Sequence, residues 1–97
     1  MNANEYINGM ADLIRTTGAD LRIEDIDGRK RIAAKFPSVD AMRSEMKKAF
    51  TANMETLQNL NAGLKALRAS GEIKSATQGY APLVLECAVE YRMDFGF

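Results

Sequence analysis

Apolar side chains recur every three or four positions along residues 39–69, the longest periodic segment of the chain. They form two rows that lie side by side on a helix surface, Met46, Leu60 and Leu67 in one and Phe50, Leu57 and Leu64 in the other. The pattern predicts one helix of about 45 Å, whereas a globular chain of this length is about 32 Å across. The helix should therefore either bend, with Gly63 as the expected weak point, or extend its apolar rows onto a partner.

Two further elements precede this segment. Residues 4–17 carry apolar side chains with helical spacing, and Gly18 follows as the expected cap. Residues 20–36 instead alternate between two faces around Asp27-Gly28, a dipeptide that favours a tight hairpin turn. A two-residue loop sets apolar residues opposite apolar ones and acids opposite bases, which stabilises neighbouring strands. The predicted cross-strand pairs are Ile23–Ile32, Leu21–Ala34, Asp25–Lys30, Glu24–Arg31 and Ile26–Arg29.

Strict alternation returns in residues 83–95, where every second position from Leu83 to Phe95 is apolar or aromatic. This pattern predicts one long, half-buried antiparallel strand. The elements then follow in the order α-β-β-α-β within a single domain, residues 1–97. Such an order predicts an α+β fold in which an antiparallel sheet carries two helices on one face.

Composition narrows the class of protein. The chain has 97 residues, of which 46% are hydrophobic and 27% charged, as in ordinary globular domains. Thirteen basic residues balance thirteen acidic ones, so no overall field attracts nucleic acid or an acidic membrane. We see neither a signal peptide nor an apolar run of about 20 residues, and we expect no membrane contact. Cys87 is the single cysteine, which fits a reducing compartment and predicts a cytoplasmic protein.

The side-chain chemistry argues against an enzyme. Histidine is absent, which removes the commonest general base and the usual zinc and iron ligands. Glu86 and Glu90 are four residues apart on one strand face, about 13 Å, too far for an acid–base pair. Residues 25–28 partly match a calcium loop, but its first and last ligand positions would be Ile23 and Ala34. We therefore predict no catalytic residue, no metal site and no cofactor.

A basic row on the outward face of the predicted hairpin supports an alternative function. It consists of Arg22, Arg29, Arg31 and Lys35, with Glu24 as the opposing acid. Such a row can follow a phosphate backbone, which would make the protein a nucleic-acid-binding accessory protein. The outward positions of residues 83–95 are mainly acidic, however, and would neutralise the row within one sheet. These positions are Glu86, Glu90, Arg92 and Asp94.

The second half of the long predicted helix is where we expect a partner. Residues 39–50 suffice to cover the sheet, whereas the leucines beyond them extend the apolar rows. Burying two or three of these leucines is worth roughly 5 kcal/mol gross, enough to hold a homodimer or to dock on another protein. The predicted interface residues are Leu57, Leu60, Leu64 and Leu67.

Phe97 is a further candidate contact, because aromatic residues are enriched in interface cores. The alternative is that Phe95 completes the core and Phe97 frays. The leading hypothesis is a small non-catalytic protein-binding module, such as a subunit, adaptor or inhibitor, that self-associates through the long helix. Small phage-borne inhibitors share this profile of neutral charge, one domain and no cofactor residues.

Overall fold

The computed structural model describes residues 1–26, 28–73, 83–87 and 91–95. The elements are α1 (Ala3–Arg15), β1 (Asp20–Ile26), β2 (Arg29–Phe36), α2 (Val39–Ala52), α3 (Met54–Ser70), β3 (Leu83–Cys87) and β4 (Tyr91–Phe95). A single apolar core joins the three helices to one face of the sheet. The predicted α+β class is therefore confirmed.

The first helix begins at a reciprocal cap. The Asn2 side chain accepts a hydrogen bond from the Glu5 N–H at 2.8 Å, and the Glu5 carboxylate accepts one from the Asn2 N–H at 3.2 Å. Two N–H groups that the first turn of a helix leaves unpaired are thereby satisfied. The helix predicted over residues 4–17 is confirmed, with its end at Arg15.

The hairpin has the predicted register throughout. Ile23 lies opposite Ile32, and the four other predicted pairs are also found. At the turn, Gly28 has a φ of +79°, a left-handed conformation that glycine adopts without a steric penalty. Its N–H donates to the Asp25 carboxylate at 2.9 Å. Asp27, the other predicted turn residue, lies outside the described residues.

The sheet has the strand order β1-β2-β3-β4 and is mixed, because β2 and β3 run parallel. The prediction of a wholly antiparallel sheet is therefore wrong for this central pair. The single strand predicted over residues 83–95 is also wrong, since β3 and β4 pair antiparallel with Cys87 opposite Tyr91. The alternation of apolar and polar residues shows which side chains share a face of the sheet. It does not show the direction of a strand or the point at which the chain reverses. Parallel neighbours need a long crossover connection, which α2 and α3 supply.

The predicted helix over residues 39–69 is two helices that meet at Asn53, so the expected bend at Gly63 is wrong. Asn53 has φ −123° and ψ 37°, outside the helical region, and its side-chain amide donates to the Ala49 carbonyl at 2.8 Å. Gly63 lies within α3, where the Met1 side chain packs against it. The 14 residues of α2 and 17 residues of α3 span about 21 and 25 Å. Both helices therefore fit a molecule of 36 × 30 × 18 Å.

The core also takes in much of the predicted interface. Leu60 and Leu67 are each only 3% exposed and pack with α1 and the sheet in one cluster. Gly9 of α1 permits this packing, because a Cβ atom there would lie 2.6 Å from Leu60 Cδ2. The second half of the long apolar segment therefore covers the protein's own core, as the first half does.

Candidate functional site

An apolar cleft of about 460 Å³ opens between α2 and α3, and we call it the α2–α3 cleft. The helical geometry is interrupted at Asn53, between these two helices, and residues of α1 and β3 complete the lining. Sites for small ligands and peptide side chains are typically concave, mostly apolar and of this size. The lining residues are Tyr6, Met10, Met42, Arg43, Met46, Phe50, Leu57, Asn61, Leu64, Leu83 and Leu85.

The floor of the cleft comes from elements far apart in the sequence. Tyr6 and Met10 of α1 and Leu83 and Leu85 of β3 are all buried. Their positions follow from the helical spacing of α1 and from the alternation of β3, which turn these side chains towards the core. Three of the lining residues are methionines, whose flexible, polarisable side chains adapt to differently shaped partners. The lining is thus mostly apolar, and its methionine side chains can adapt to the shape of a bound group.

The walls of the cleft carry half-buried apolar residues. Phe50 of α2 and Leu57 and Leu64 of α3 pack against the core while remaining partly accessible. Arg43 and Asn61 are exposed at the mouth. An apolar group entering the cleft would therefore cover Phe50, Leu57 and Leu64 and meet polar groups only at the edge.

Tyr6 contributes the one phenolic hydroxyl among the described lining residues. Burial raises its pKa to about 12, and the positive charge of Arg68 offsets part of that rise. The hydroxyl therefore remains protonated at neutral pH, and it already has an interaction within the protein.

Exposed cations lie at both edges of the cleft, and we call them the cationic rim: Arg43 on α2, which lines the cleft, and Lys65 and Arg68 on α3, which helical spacing places beside it. Lys47, one turn after Arg43, instead lines a separate surface hollow with Ser44 and Thr51. Lys65 and Arg68 lie one turn after the lining residues Asn61 and Leu64, so they share that side of α3. None of the three rim residues forms an ion pair with another residue in the described part of the chain.

The structure divides the predicted interface residues into two groups. Leu57 and Leu64 line the α2–α3 cleft and are partly accessible, whereas Leu60 and Leu67 are buried in the core. A partner would have to displace α3 to reach the second pair. Phe97 lies outside the described residues.

Sequence reasoning missed the residues that complete the cleft. Arg43 lies three residues before Met46 and seven before Phe50, so the helical period could have placed it beside the apolar row. Tyr6 and Leu83 carry no such signal, because only the tertiary fold brings their elements together.

The outward hairpin face is largely neutralised by ion pairs. Glu24 accepts a hydrogen bond from Arg31 at 3.0 Å and lies 3.3 Å from Arg22, which is 3.9 Å from Glu86 of the neighbouring part of the sheet. The hydrogen bond from Arg31 and the charges of both arginines hold the pKa of Glu24 below its usual range. The anticipated pairing of the basic row with residues of 83–95 is thus seen for Glu86, while Glu90 lies outside the described residues.

The remaining members of the basic row, Arg29 and Lys35, take no part in the ion pairs around Glu24. Arg29 has an interaction within the protein, and Lys35 is exposed without an ion pair in the described segments. On the same sheet face Ala33 and Val84 are only 1% exposed although they lie outside the main core cluster. The small side chains of this face are therefore covered, while Arg22, Arg29 and Lys35 are exposed on it.

Other chemistry finds little support among the described residues. They contain no group of three or more histidine, cysteine or carboxylate side chains that could hold a metal ion. Cys87 is a buried thiol whose sulfur lies 3.6 Å from the sulfur of Met42, within the core. No helix of the described segments has the length and apolar character needed to cross a bilayer.

Comparisons of the chain with protein-family models, curated proteins and solved structures found no match.

Proposed function

We propose that the protein is a non-catalytic protein-binding module, such as a subunit, adaptor or inhibitor, whose partner binds in the α2–α3 cleft. The observation that carries the proposal is the cleft itself. It has a volume of about 460 Å³, and the apolar side chains of Phe50, Leu57 and Leu64 in its walls are partly exposed to solvent. Covering these three side chains is worth several kcal/mol gross at about 25 cal/mol per Å² of apolar surface. A cytoplasmic location forms part of the proposal, supported by the buried free thiol of Cys87.

The chemistry of the lining supports binding in preference to catalysis. A catalytic pocket needs a nucleophile or titratable groups that converge on a reacting atom. The described lining contains no carboxylate and no lysine, and its polar groups are Tyr6, Arg43 and Asn61. Arg43 and Asn61 suit recognition, because both are exposed and can donate hydrogen bonds to a partner at the mouth.

Self-association remains the second candidate use of this surface. Two copies could cover Leu57 and Leu64 of each other, as the sequence predicts. They would, however, bring two cationic rims together, and like charges in an interface are unfavourable. A different protein is therefore the favoured occupant, and sedimentation velocity at micromolar concentration measures the homodimer directly.

Nucleic-acid binding through the hairpin is the less favoured alternative. Arg22 and Arg31 are already paired with Glu24, so a phosphate would have to compete with an internal carboxylate. Phosphate binding also weakens steeply with added salt. Titration of a fluorescent oligonucleotide at low and high salt tests this alternative.

The test of the main proposal is affinity capture from the native host with wild type and two matched variants. Leu64→Asp places a charge in the cleft wall, and Lys35→Glu reverses a charge on the opposite sheet face. We expect at least one partner protein that wild type and Lys35→Glu retain and that Leu64→Asp loses, with all three proteins folded by circular dichroism. Partners lost with Lys35→Glu and kept with Leu64→Asp would move the binding surface to the hairpin.

A further inference from the structure

We infer that the occupant of the α2–α3 cleft is an amphipathic helix whose apolar side chains enter the cleft and whose acidic flanks face the cationic rim. The inference rests on the proposed function and adds the chemistry of the partner. It follows from three properties of the cleft, namely its length, its concave shape and the sign of the charges along its edges.

The length of the cleft fits a short helical segment. Its lining extends from Met42 to Phe50 on α2 and from Leu57 to Leu64 on α3, about 12 Å and 10 Å along the two helices. This distance is two turns of a partner helix, which would present apolar side chains at positions i, i+3 or i+4, and i+7. Insertion of such a row into an apolar groove is a recurring mode of peptide recognition.

The cationic rim favours acidic residues on both sides of the apolar face of that helix. The chain as a whole is neutral, with thirteen basic and thirteen acidic residues, yet cations lie at both edges of the cleft, Arg43 on one and Lys65 and Arg68 on the other. The acidic residues of α2 and α3 lie mostly elsewhere: Glu45 pairs with Lys48 at 3.3 Å, and Glu55 falls on another side of α3 by its spacing from Leu57. Asp40, three residues before Arg43, is a further exposed acid of α2 and has no ion pair in the described part of the chain.

Other occupants fit this arrangement less well. A small apolar carboxylate would engage one cation at the mouth and leave the others unused. A bilayer requires apolar side chains that protrude from the surface, whereas these line a concave cleft. A second copy of the chain would bring a second cationic rim. An amphipathic helix with carboxylates on both sides of its apolar face could pair with the cations at both edges of the cleft at once.

The experiment is a selection from displayed peptides of about 16 residues that share one apolar helical face. Their flanking positions are drawn from Asp, Glu, Lys, Arg, Gln and Ser. Selection is run in parallel on wild type and on the double variant Arg43→Glu/Lys65→Glu, which changes two exposed residues without ion pairs in the described part of the chain. Peptides are kept if their binding is lost with Leu64→Asp or with Asn61→Tyr. Asn61 is exposed and lines the cleft, so we expect the larger tyrosine to fill the cleft without disturbing the core.

On wild type we expect enrichment of Asp and Glu at the flanks, and on the double variant enrichment of Lys and Arg. Transfer of a selected acidic peptide from wild type to the double variant should weaken its binding about tenfold, with loss of most of the salt dependence. Cleft-dependent peptides with the same flanks on both proteins would overturn this inference and leave the proposed function standing. Failure to recover any cleft-dependent peptide would overturn both.

Discussion

Single residues decide where the helices can lie. Asn53 shows this most directly, because its backbone N–H and its side-chain amide both donate to the Ala49 carbonyl, at 3.1 and 2.8 Å. A side chain that bonds its own helix in this way competes with continued helical geometry. The Asn53 carbonyl still accepts from the Leu57 N–H at 2.9 Å, so α3 begins without a gap. The break between α2 and α3 is thus accompanied by a side-chain hydrogen bond of its own.

Replacing that amide tests its contribution. Asn53→Ala is expected to lower the free energy of unfolding by about 1 kcal/mol, the net value of a typical hydrogen bond. The higher helix propensity of alanine gives little compensation, because the backbone at Asn53 is not helical. Asn59→Ala is the control, at an exposed position within α3, and should leave stability equal or raise it by a few tenths of a kcal/mol. Urea denaturation of the three proteins gives the values, and equal stabilities would show that the amide is not needed.

Two helical glycines provide a second test, because replacing them by alanine is expected to change the stability in opposite directions. Gly9→Ala forces a methyl group against the buried Leu60 side chain, and we expect a net loss of about 1 kcal/mol after the gain in helix propensity. Gly63→Ala meets only the Met1 side chain, which is 57% exposed and free to move aside. That variant should gain up to about 1 kcal/mol. Thermal melts report both changes, and destabilisation of equal size in the two variants would contradict this account.

Among the elements, the hairpin is the one whose structure follows most fully from its own residues. All its pairs are local, and apolar and charged partners match in only one register, so Ile23 meets Ile32 and Glu24 meets Arg31 as predicted. The helices and the strands of residues 83–95 were predicted less completely. The helical spacing of apolar residues does not show that a break at Asn53 is preferred to one at Gly63. In residues 83–95 the alternation of apolar and polar residues continues without change from β3 into β4, so it gives no sign of the boundary between the two strands.

The ion pairs of the hairpin predict a specific pH dependence. The pKa of Glu24 is lower in the folded protein than in the unfolded chain, where a glutamate titrates near about 4.3. Its contribution to stability is therefore present above that value and is lost as the pH falls through the folded pKa. We expect Glu24→Gln to show a smaller loss of stability than wild type between about pH 5 and pH 3.

Urea midpoints measured across that pH range test the expectation. Glu55→Gln is the matched control, because Glu55 is exposed and has no ion pair within the described residues. It should follow the wild-type curve. A Glu24→Gln curve that coincides with wild type would mean that the Arg31 hydrogen bond does not contribute in solution.

At the scale of the whole molecule, the sheet joins the early and late parts of the chain. β2 is paired on both sides, with β1 and β3, whereas β1 lies at an edge of the sheet. The candidate site has the same non-local origin, since Tyr6, Arg43 and Leu83 meet in one cleft. The sequence allowed us to predict Leu57 and Leu64 as contact residues, but it could not place them over the floor that α1 and β3 provide.

The pairing predicts an order of protection against hydrogen exchange. Amides of residues 32–36 in β2 should exchange most slowly, because they lie between two strands and above the apolar core. Amides of β1 that face the open edge should exchange faster by at least an order of magnitude. Exchange measured by nuclear magnetic resonance at neutral pH distinguishes them, and equal protection of β1 and β2 would contradict the central position of β2.

The parallel pairing of β2 with β3 also bears on how the protein is made. During synthesis, β2 emerges about 50 residues before its second neighbour, a delay of roughly 2–10 s at ordinary translation rates. Throughout that time one edge of an apolar strand, with Ile32, Ala34 and Phe36 on its core face, has no strand to pair with. Exposed apolar edges recruit other chains. A nascent chain of this protein is therefore most vulnerable to aggregation after its hairpin has formed and before β3 has left the ribosome.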